Sequence, residues 1–318
     1  MTLTDRIPPQ LFLVVLLAVI VGLVVVGCRK DGDDGPASPT SDNGARVVVT
    51  VVTTLPVFAD FVREVGGDRV EVVAVLPDGV DADLVELPLE DVERIRGADL
   101  ILYNGLDLET TTEDLLFENK RRNALVVDYS RDVASPTSEG MLAKEARDNP
   151  YLWLDPVLAR TYVDVTWDSL VIVDGEAVST YQANADRYKD QLRSLHEEIE
   201  EKVQSIPPAD RKLVTFHDSF FHLANRYGLE PVRLPTPVST DEPSPRRVEE
   251  WADLIRKQGV RAVFTESGFE SELLHQAARD ADVKVCTLYS DSLDDEVTTY
   301  VEMMTSNADE LVRCLGGG

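Results

Sequence analysis

The sequence predicts an α/β protein of two lobes with parallel sheets, joined by one long rigid helix, with a ligand site in the cleft between the lobes. Three observations carry this expectation. Short β-branched runs alternate with helically spaced apolar residues from 47 to 128, and the alternation resumes from 212 to 315. Between the two lies one unbroken helical pattern over 178–204. Strands alternating with helices build parallel sheets with helical crossovers. Ligands of such open sheets sit beyond the carboxyl ends of the strands.

Taken in order, Val47 to Thr53 is apolar or β-branched throughout, as suits a strand covered on both faces. Leu55 to Val65 has helical spacing, and Gly66-Gly67 ends it. Val70 to Leu76 reads as a strand, Pro88 to Arg96 as a helix, Asp99 to Tyr103 as a strand, Leu106 to Asn119 as a helix and Ala124 to Asp128 as a strand. Tyr181, Ala185, Tyr188, Leu192, Leu195, Ile199 and Val203 then recur at steps of three and four with charged residues between them. At 1.5 Å per residue that helix would run for about 40 Å before Pro207-Pro208 stops it. The second unit reads strand Lys212 to Thr215, helix Ser219 to Tyr227, strand Glu230 to Leu234, helix Pro245 to Gln258, strand Ala262 to Thr265, helix Glu270 to Arg279, strand Lys284 to Leu288 and helix Thr298 to Leu315. The expected organisation is an N-terminal lobe over 47–177, the linking helix over 178–205 and a C-terminal lobe over 206–318.

The segment ahead of the first lobe has an address. Leu11 to Val26 is a nearly pure apolar run, preceded by a weak charged region with Asp5 beside Arg6 and followed at once by Gly27-Cys28. Its length suits a signal peptide or a short uncleaved anchor. Val25-Val26-Gly27-Cys28 resembles a bacterial lipobox, which makes Cys28 the expected lipidated residue and 1–28 the signal segment. Residues 29–46, rich in Gly, Asp, Ser and Pro, cannot bury a core and form a tether. Either way the module lies outside the cytoplasm, anchored to the membrane.

In an exported chain the two remaining cysteines, Cys286 in a strand-like run and Cys314 near the end of the last helix, are either a disulfide pair or two buried thiols. The chain is 318 residues long and 43% hydrophobic, an ordinary globular composition. Thirty-one basic residues against 58 acidic ones give a formal net charge of -27, which disfavours nucleic acid as a partner and favours cations or plain solubility.

Midway lies Asp148-Asn149-Pro150-Tyr151-Leu152-Trp153-Leu154-Asp155-Pro156, in which two prolines fix the backbone around an aromatic, apolar centre. Such a stretch either packs at the edge of a lobe or presents Tyr151 rigidly to a cleft.

Gly66-Gly67-Asp68-Arg69-Val70, Leu102-Tyr103-Asn104-Gly105-Leu106, Trp153-Leu154-Asp155-Pro156, Phe216-His217-Asp218-Ser219-Phe220, Glu242-Pro243-Ser244-Pro245, Phe264-Thr265-Glu266 and Tyr289-Ser290-Asp291-Ser292-Leu293 occur in that order. Together they resemble the extracytoplasmic metal-binding receptors of zinc and manganese ABC transporters, solute-binding family 9, over nearly all of 47–315. The resemblance implies a monomeric receptor that holds one metal ion between two lobes by four side chains and hands it to an ABC permease and its ATPase. It also implies the ligand positions. Asp83 stands where the family has a first histidine and Tyr151 where it has a second, while His217 and Asp291 match the third and fourth. Asp81, Glu86 and Glu266 lie in the same segments as substitutes, Glu266 and Asp81 ahead of the other.

Zinc favours imidazole and thiolate, and the expected pair of imidazoles from the first lobe is absent. Asp83, Tyr151, His217 and Asp291 offer mainly hard oxygen donors. A phenol with a reference pKa near 10 ligates at neutral pH only when the ion is acidic enough to displace its proton, which Fe3+ is. Mn2+ accepts carboxylate and imidazole with Tyr151 left neutral, and Zn2+ remains the family's usual cargo. The alternatives from other classes are a lipid-anchored adhesin or scaffold with a degenerate site, and a metal-assisted hydrolase. No P-loop, dinucleotide fingerprint or His-Glu-x-x-His pattern supports an enzyme. His196, His222 and His275 fall on helical patterns and read as surface or packing residues without partners.

Overall fold

A computed structural model describes residues 48–76, 87–134, 148–234, 245–269 and 271–317. Two four-stranded parallel arrangements stand on either side of one long helix, as the sequence predicts.

In the first lobe β1 (Val49–Thr53) pairs with β2 (Val70–Ala74) and with β3 (Leu100–Tyr103), and β3 pairs with β4 (Leu125–Asp128), all parallel, in the order β2-β1-β3-β4. The crossovers are α1 (Pro56–Gly66), α2 (Leu89–Gly97) and α3 (Thr110–Asn119). α1 starts on Pro56 and ends at Gly66-Gly67; a Cβ on Gly66 would come within 2.3 Å of Val70, so the turn into β2 needs that glycine. α3 begins four residues later than its apolar pattern suggests, because Gly105, Leu106 and Asp107 all take positive φ and turn the chain first. A one-turn α4 (Ser130–Val133) follows β4.

The sequence reading has no helix after 128 in this lobe, yet α5 spans Pro156–Val173. Its start is well marked, with Pro156 at the first helical position and Asp155 Oδ1 accepting from the Val157 N–H at 2.9 Å. Its body is rich in Val, Thr and Ile, poor helix formers whose preference is overridden by packing between α1 and α6.

α6 (Val178–Ser205) is the linking helix, about 42 Å long at 1.5 Å per residue. The seven residues it buries are Tyr181, Ala185, Tyr188, Leu192, Leu195, Ile199 and Val203, the same seven that the apolar spacing picks out.

The second lobe repeats the first in strand order. β5 (Lys212–Leu213) pairs with β6 (Glu230–Pro231), β7 (Ala262–Glu266) pairs with β8 (Lys284–Leu288), and a parallel bridge from Thr215 to Phe264 joins the two pairs. Its helices are α7 (Phe221–Tyr227), α8 (Pro245–Gln258), α9 (Glu272–Ala281) and α10 (Tyr300–Leu315). α10 opens with a capping box in which Thr299 and Glu302 satisfy one another's backbone N–H groups. Cys286 of β8 and Cys314 of α10 are joined as a disulfide.

One hydrophobic core runs through both lobes along α6. It takes in Phe58 and Phe61 of α1, Tyr162 of α5, Tyr188 and Leu192 of α6, and Tyr300 and Met303 of α10. Phe61 meets Tyr300 from the other lobe with ring centroids 5.0 Å apart, and Phe58 meets Trp153 at 5.3 Å. Smaller cores lie on the outer faces, under α2 and α3 in one lobe and under α8 and α9 in the other. The N-terminal apolar run, Cys28, the tether and the Glu242-Pro243-Ser244 segment lie outside the described residues. Among the described residues no helix is long and apolar enough to cross a membrane.

Candidate metal site

In a sheet ordered β2-β1-β3-β4 the crossover direction reverses between β1 and β3, and the crevice at their carboxyl ends is where a ligand fits. In the second lobe the matching strands are β5 and β7. His217 follows β5 and Glu266 is the last residue of β7, so the sequence motif containing His217 is delivered to that crevice by topology.

His217 is half-exposed, wedged between the rings of Phe216 and Phe269 at 4.7 Å from each. Its Nδ1 lies 3.3 Å from Oε1 of Glu266. Glu266 is buried, and its other oxygen accepts the Ser219 hydroxyl at 2.9 Å. The approach to Nδ1 is a close contact and not a hydrogen bond, because the buried Oε1 has no hydrogen-bond partner. Glu266, the first substitute among the expected ligands, is thus placed directly behind His217.

Asp291 follows β8, is half-buried, and accepts the Ser290 hydroxyl at 3.2 Å. Tyr151 is half-buried at the mouth of a 3-10 turn, Leu152–Leu154, with its ring 5.3 Å from that of Trp153. Asp83, Asp81 and Glu86 lie outside the described residues. Among the described residues, the one group of three His, Cys, Asp or Glu donor atoms within 4.8 Å of one another is Cys286, Glu310 and Cys314, and its sulfurs are spent in the disulfide.

What joins the three described candidates is the backbone around them. The Asn149 side-chain amide donates to the Asp218 carbonyl at 2.8 Å, next to His217. The Trp153 indole N–H donates to the Ser290 carbonyl at 2.7 Å, next to Asp291. Tyr300 returns a hydrogen bond to the Trp153 carbonyl at 2.7 Å. Asp155, while capping α5, receives Arg226 of α7 at 2.6 Å. Tyr151 thus sits midway in a seam stitched to both second-lobe candidates.

Asparagine 104, at the first lobe's crevice, is fully buried and anchors the same stretch. Asn104 donates to the carbonyls of Gly105 and Pro150 at 3.1 and 3.0 Å and accepts the Tyr162 hydroxyl at 2.8 Å. Beneath it, Glu109 accepts the Asn104 backbone N–H at 2.6 Å and the Thr54 hydroxyl at 3.0 Å. Burial pushes the Glu109 carboxyl up to about 7 in spite of these two donors, and its Oε2 has no hydrogen-bond partner.

Two sequence expectations change. His222, read as a partnerless helical residue, is 1% exposed and its Nε2 donates to the Asn149 carbonyl at 3.0 Å. His196 also has a partner, the Tyr227 hydroxyl at 3.1 Å across α6 and α7. Helical periodicity gives the face each residue lies on, but nothing in it marks the carbonyl or hydroxyl that each will meet.

A family model described as zinc-uptake complex component A, periplasmic (ZnuA), matches residues 51–314. The zinc-binding protein TroA of Treponema pallidum is 35% identical over 278 residues, 83% of this chain and 88% of that one. Its solved structure superimposes with a TM-score of 0.75 at 31% identity over 85% of this chain and all of that one. The manganese-binding lipoprotein MntA of Halalkalibacterium halodurans is 27% identical over 92% of this chain and 95% of its own length. The iron-binding protein YfeA of Yersinia pestis is 29% identical over 84% and 86%. The paired four-stranded lobes, the single long helix and the ordered motifs along nearly the whole chain agree with these matches, and the chain belongs to the ZnuA family of zinc-uptake complex component A.

Proposed function

We propose that the protein is the metal-ion receptor of an ABC importer: it captures one transition-metal ion between its lobes outside the cytoplasm and delivers it to the permease and its ATPase. The observation that carries this reading is the placement of Tyr151, His217 and Asp291, each within two residues of a hydrogen bond across the seam. Relatives named for zinc, manganese and iron support the class of cargo. Asp83, in the place of a family histidine, is the fourth ligand, with Glu266 and then Asp81 as substitutes. The relatives are named as metal-binding proteins and transporter components, which supports binding and delivery of the ion over hydrolysis. The receptor acts as a monomer, held to the membrane through a lipid on Cys28.

The donor set sorts the cargo. One imidazole backed by a carboxylate, one phenol and carboxylates suit a hard, acidic ion, and Fe3+ fits best because it alone of the three readily displaces the phenol proton. Purified full-length chain is titrated with Fe(III), Mn(II) and Zn(II) after its bound metal is measured by mass spectrometry. Fe(III) is expected to bind one to one with a visible tyrosinate charge-transfer band that Tyr151→Phe abolishes. Tight Mn(II) or Zn(II) binding without the band replaces the ferric assignment, and no binding of any of the three overturns the receptor reading.

A further inference from the structure

We infer that Asn149 and His222 form a latch between the lobes that sets the Tyr151 loop in place before an ion arrives and slows the ion's departure. The inference rests on the receptor reading for its second half only. Three polar atoms of Asn149 are committed. Its Oδ1 accepts the Tyr151 N–H at 3.2 Å, its Nδ2 donates to the Asp218 carbonyl at 2.8 Å, and its own carbonyl accepts His222 Nε2 at 3.0 Å. The next carbonyl, of Pro150, is held by Asn104 of the first lobe. Consecutive carbonyls ahead of Tyr151 are therefore gripped from opposite lobes, which leaves the loop little freedom to follow either lobe alone.

His222 carries the argument. It is buried beside Phe221, and its Nδ1 has no hydrogen-bond partner. Donation to a carbonyl requires Nε2 to bear the proton, which leaves Nδ1 a bare acceptor shut away from water. A buried, half-satisfied imidazole costs free energy that a phenylalanine of similar shape would not. Within the fold the compensation is the single bond from Nε2 to Asn149. That bond spans the lobes, and it ends two residues from Tyr151. His222 is not itself among the candidate ligands, and the bond it makes is to the loop backbone, so it is a positioning residue acting through the loop.

The test separates the donor from the shape. Full-length chain carrying His222→Phe keeps the ring and loses the donor, whereas His222→Gln places an amide N–H near the position of Nε2. Hydrogen exchange of the metal-free proteins is followed in the peptide covering 148–155, and release of Fe(III) or Mn(II) is followed by transfer to EDTA. With one interlobe hydrogen bond at stake, His222→Phe is expected to speed both exchange and release about five- to tenfold, and His222→Gln to stay within about twofold of the parent. Asn149→Ala, on the half-exposed side of the latch, should match His222→Phe and serves if that variant does not fold. Parental exchange in His222→Phe and Asn149→Ala overturns the inference, as does equal acceleration by Phe and Gln, which would mark packing alone. If the parent binds no ion, the receptor reading fails while exchange still decides the latch.

Discussion

Glu109 is a carboxylate held where water hardly reaches, and its ionisation works against the fold. Its carboxyl is pushed up to about 7 by burial, with Glu113 and Asp128 adding to the rise. A folded pKa above the unfolded one means that the native state holds its proton more tightly. The stabilisation is complete below the ordinary carboxyl value of 4.5 and is lost as pH rises through about 7. Asp60 behaves alike: it caps α10 through the Tyr300 N–H at 2.9 Å, and burial lifts it to about 6. Glu109→Gln retains the acceptor for Asn104 and Thr54 without the buried charge. It should raise stability at pH 8 by roughly 2 to 3 kcal/mol and leave it nearly unchanged at pH 4.5. Urea unfolding at the two pH values checks this; equal effects at both would show that Glu109 is not charged in the fold. What the sequence offered at this scale was residue types, two oxygen donors in Tyr151 and Asp291 and one imidazole in His217. The roles of their neighbours were not legible. Glu266 looked like a spare ligand and His222 like packing, because the partner each bonds, the Ser219 hydroxyl and the Asn149 carbonyl, comes from a distant part of the chain.

Among elements, α10 is the one held in most ways, by its capping box, by Asp60 of the other lobe and by the disulfide to β8. The bridge closes a loop of 28 residues in sequence, worth about 3 to 4 kcal/mol if its effect is on the unfolded chain. Replacing Cys286 and Cys314 together by serine should lower unfolding free energy by that order and leave metal stoichiometry unchanged. Chemical denaturation with and without dithiothreitol checks it, since the reductant should weaken the parent and not the variant. Legibility of the elements followed how strongly periodicity and propensity agree. α6 could be read to its seven buried positions because polar residues separate its apolar ones. α5 could not, since Val163, Val165, Thr166, Val171 and Val173 favour strands by propensity and are held helical by packing. β5 and β6 shrink to two residues each where the sequence suggests four or five, although Val214, Thr215 and Val232 still make backbone bonds or a bridge to neighbouring strands.

For the molecule as a whole, a formal charge of -27 works against compactness. Salt shortens the reach of that repulsion, from about 10 Å at 0.1 M to about 3 Å at 1 M. Melting temperature in sodium chloride should therefore climb by a few degrees between roughly 0.05 and 0.5 M, before any specific ion is added. Calorimetry on the metal-free chain measures it; a flat profile would mean that local ion pairs already neutralise the surface. Over that charged exterior the two lobes meet along a seam in which main-chain carbonyls of Asn149, Trp153, Asp218 and Ser290 accept beside the carboxylates of Asp60 and Asp155. A carbonyl is present whatever side chain its residue carries. Under the proposal that Tyr151, His217 and Asp291 are ligands, each position can trade among imidazole, phenol and carboxylate without removing a carbonyl of the join.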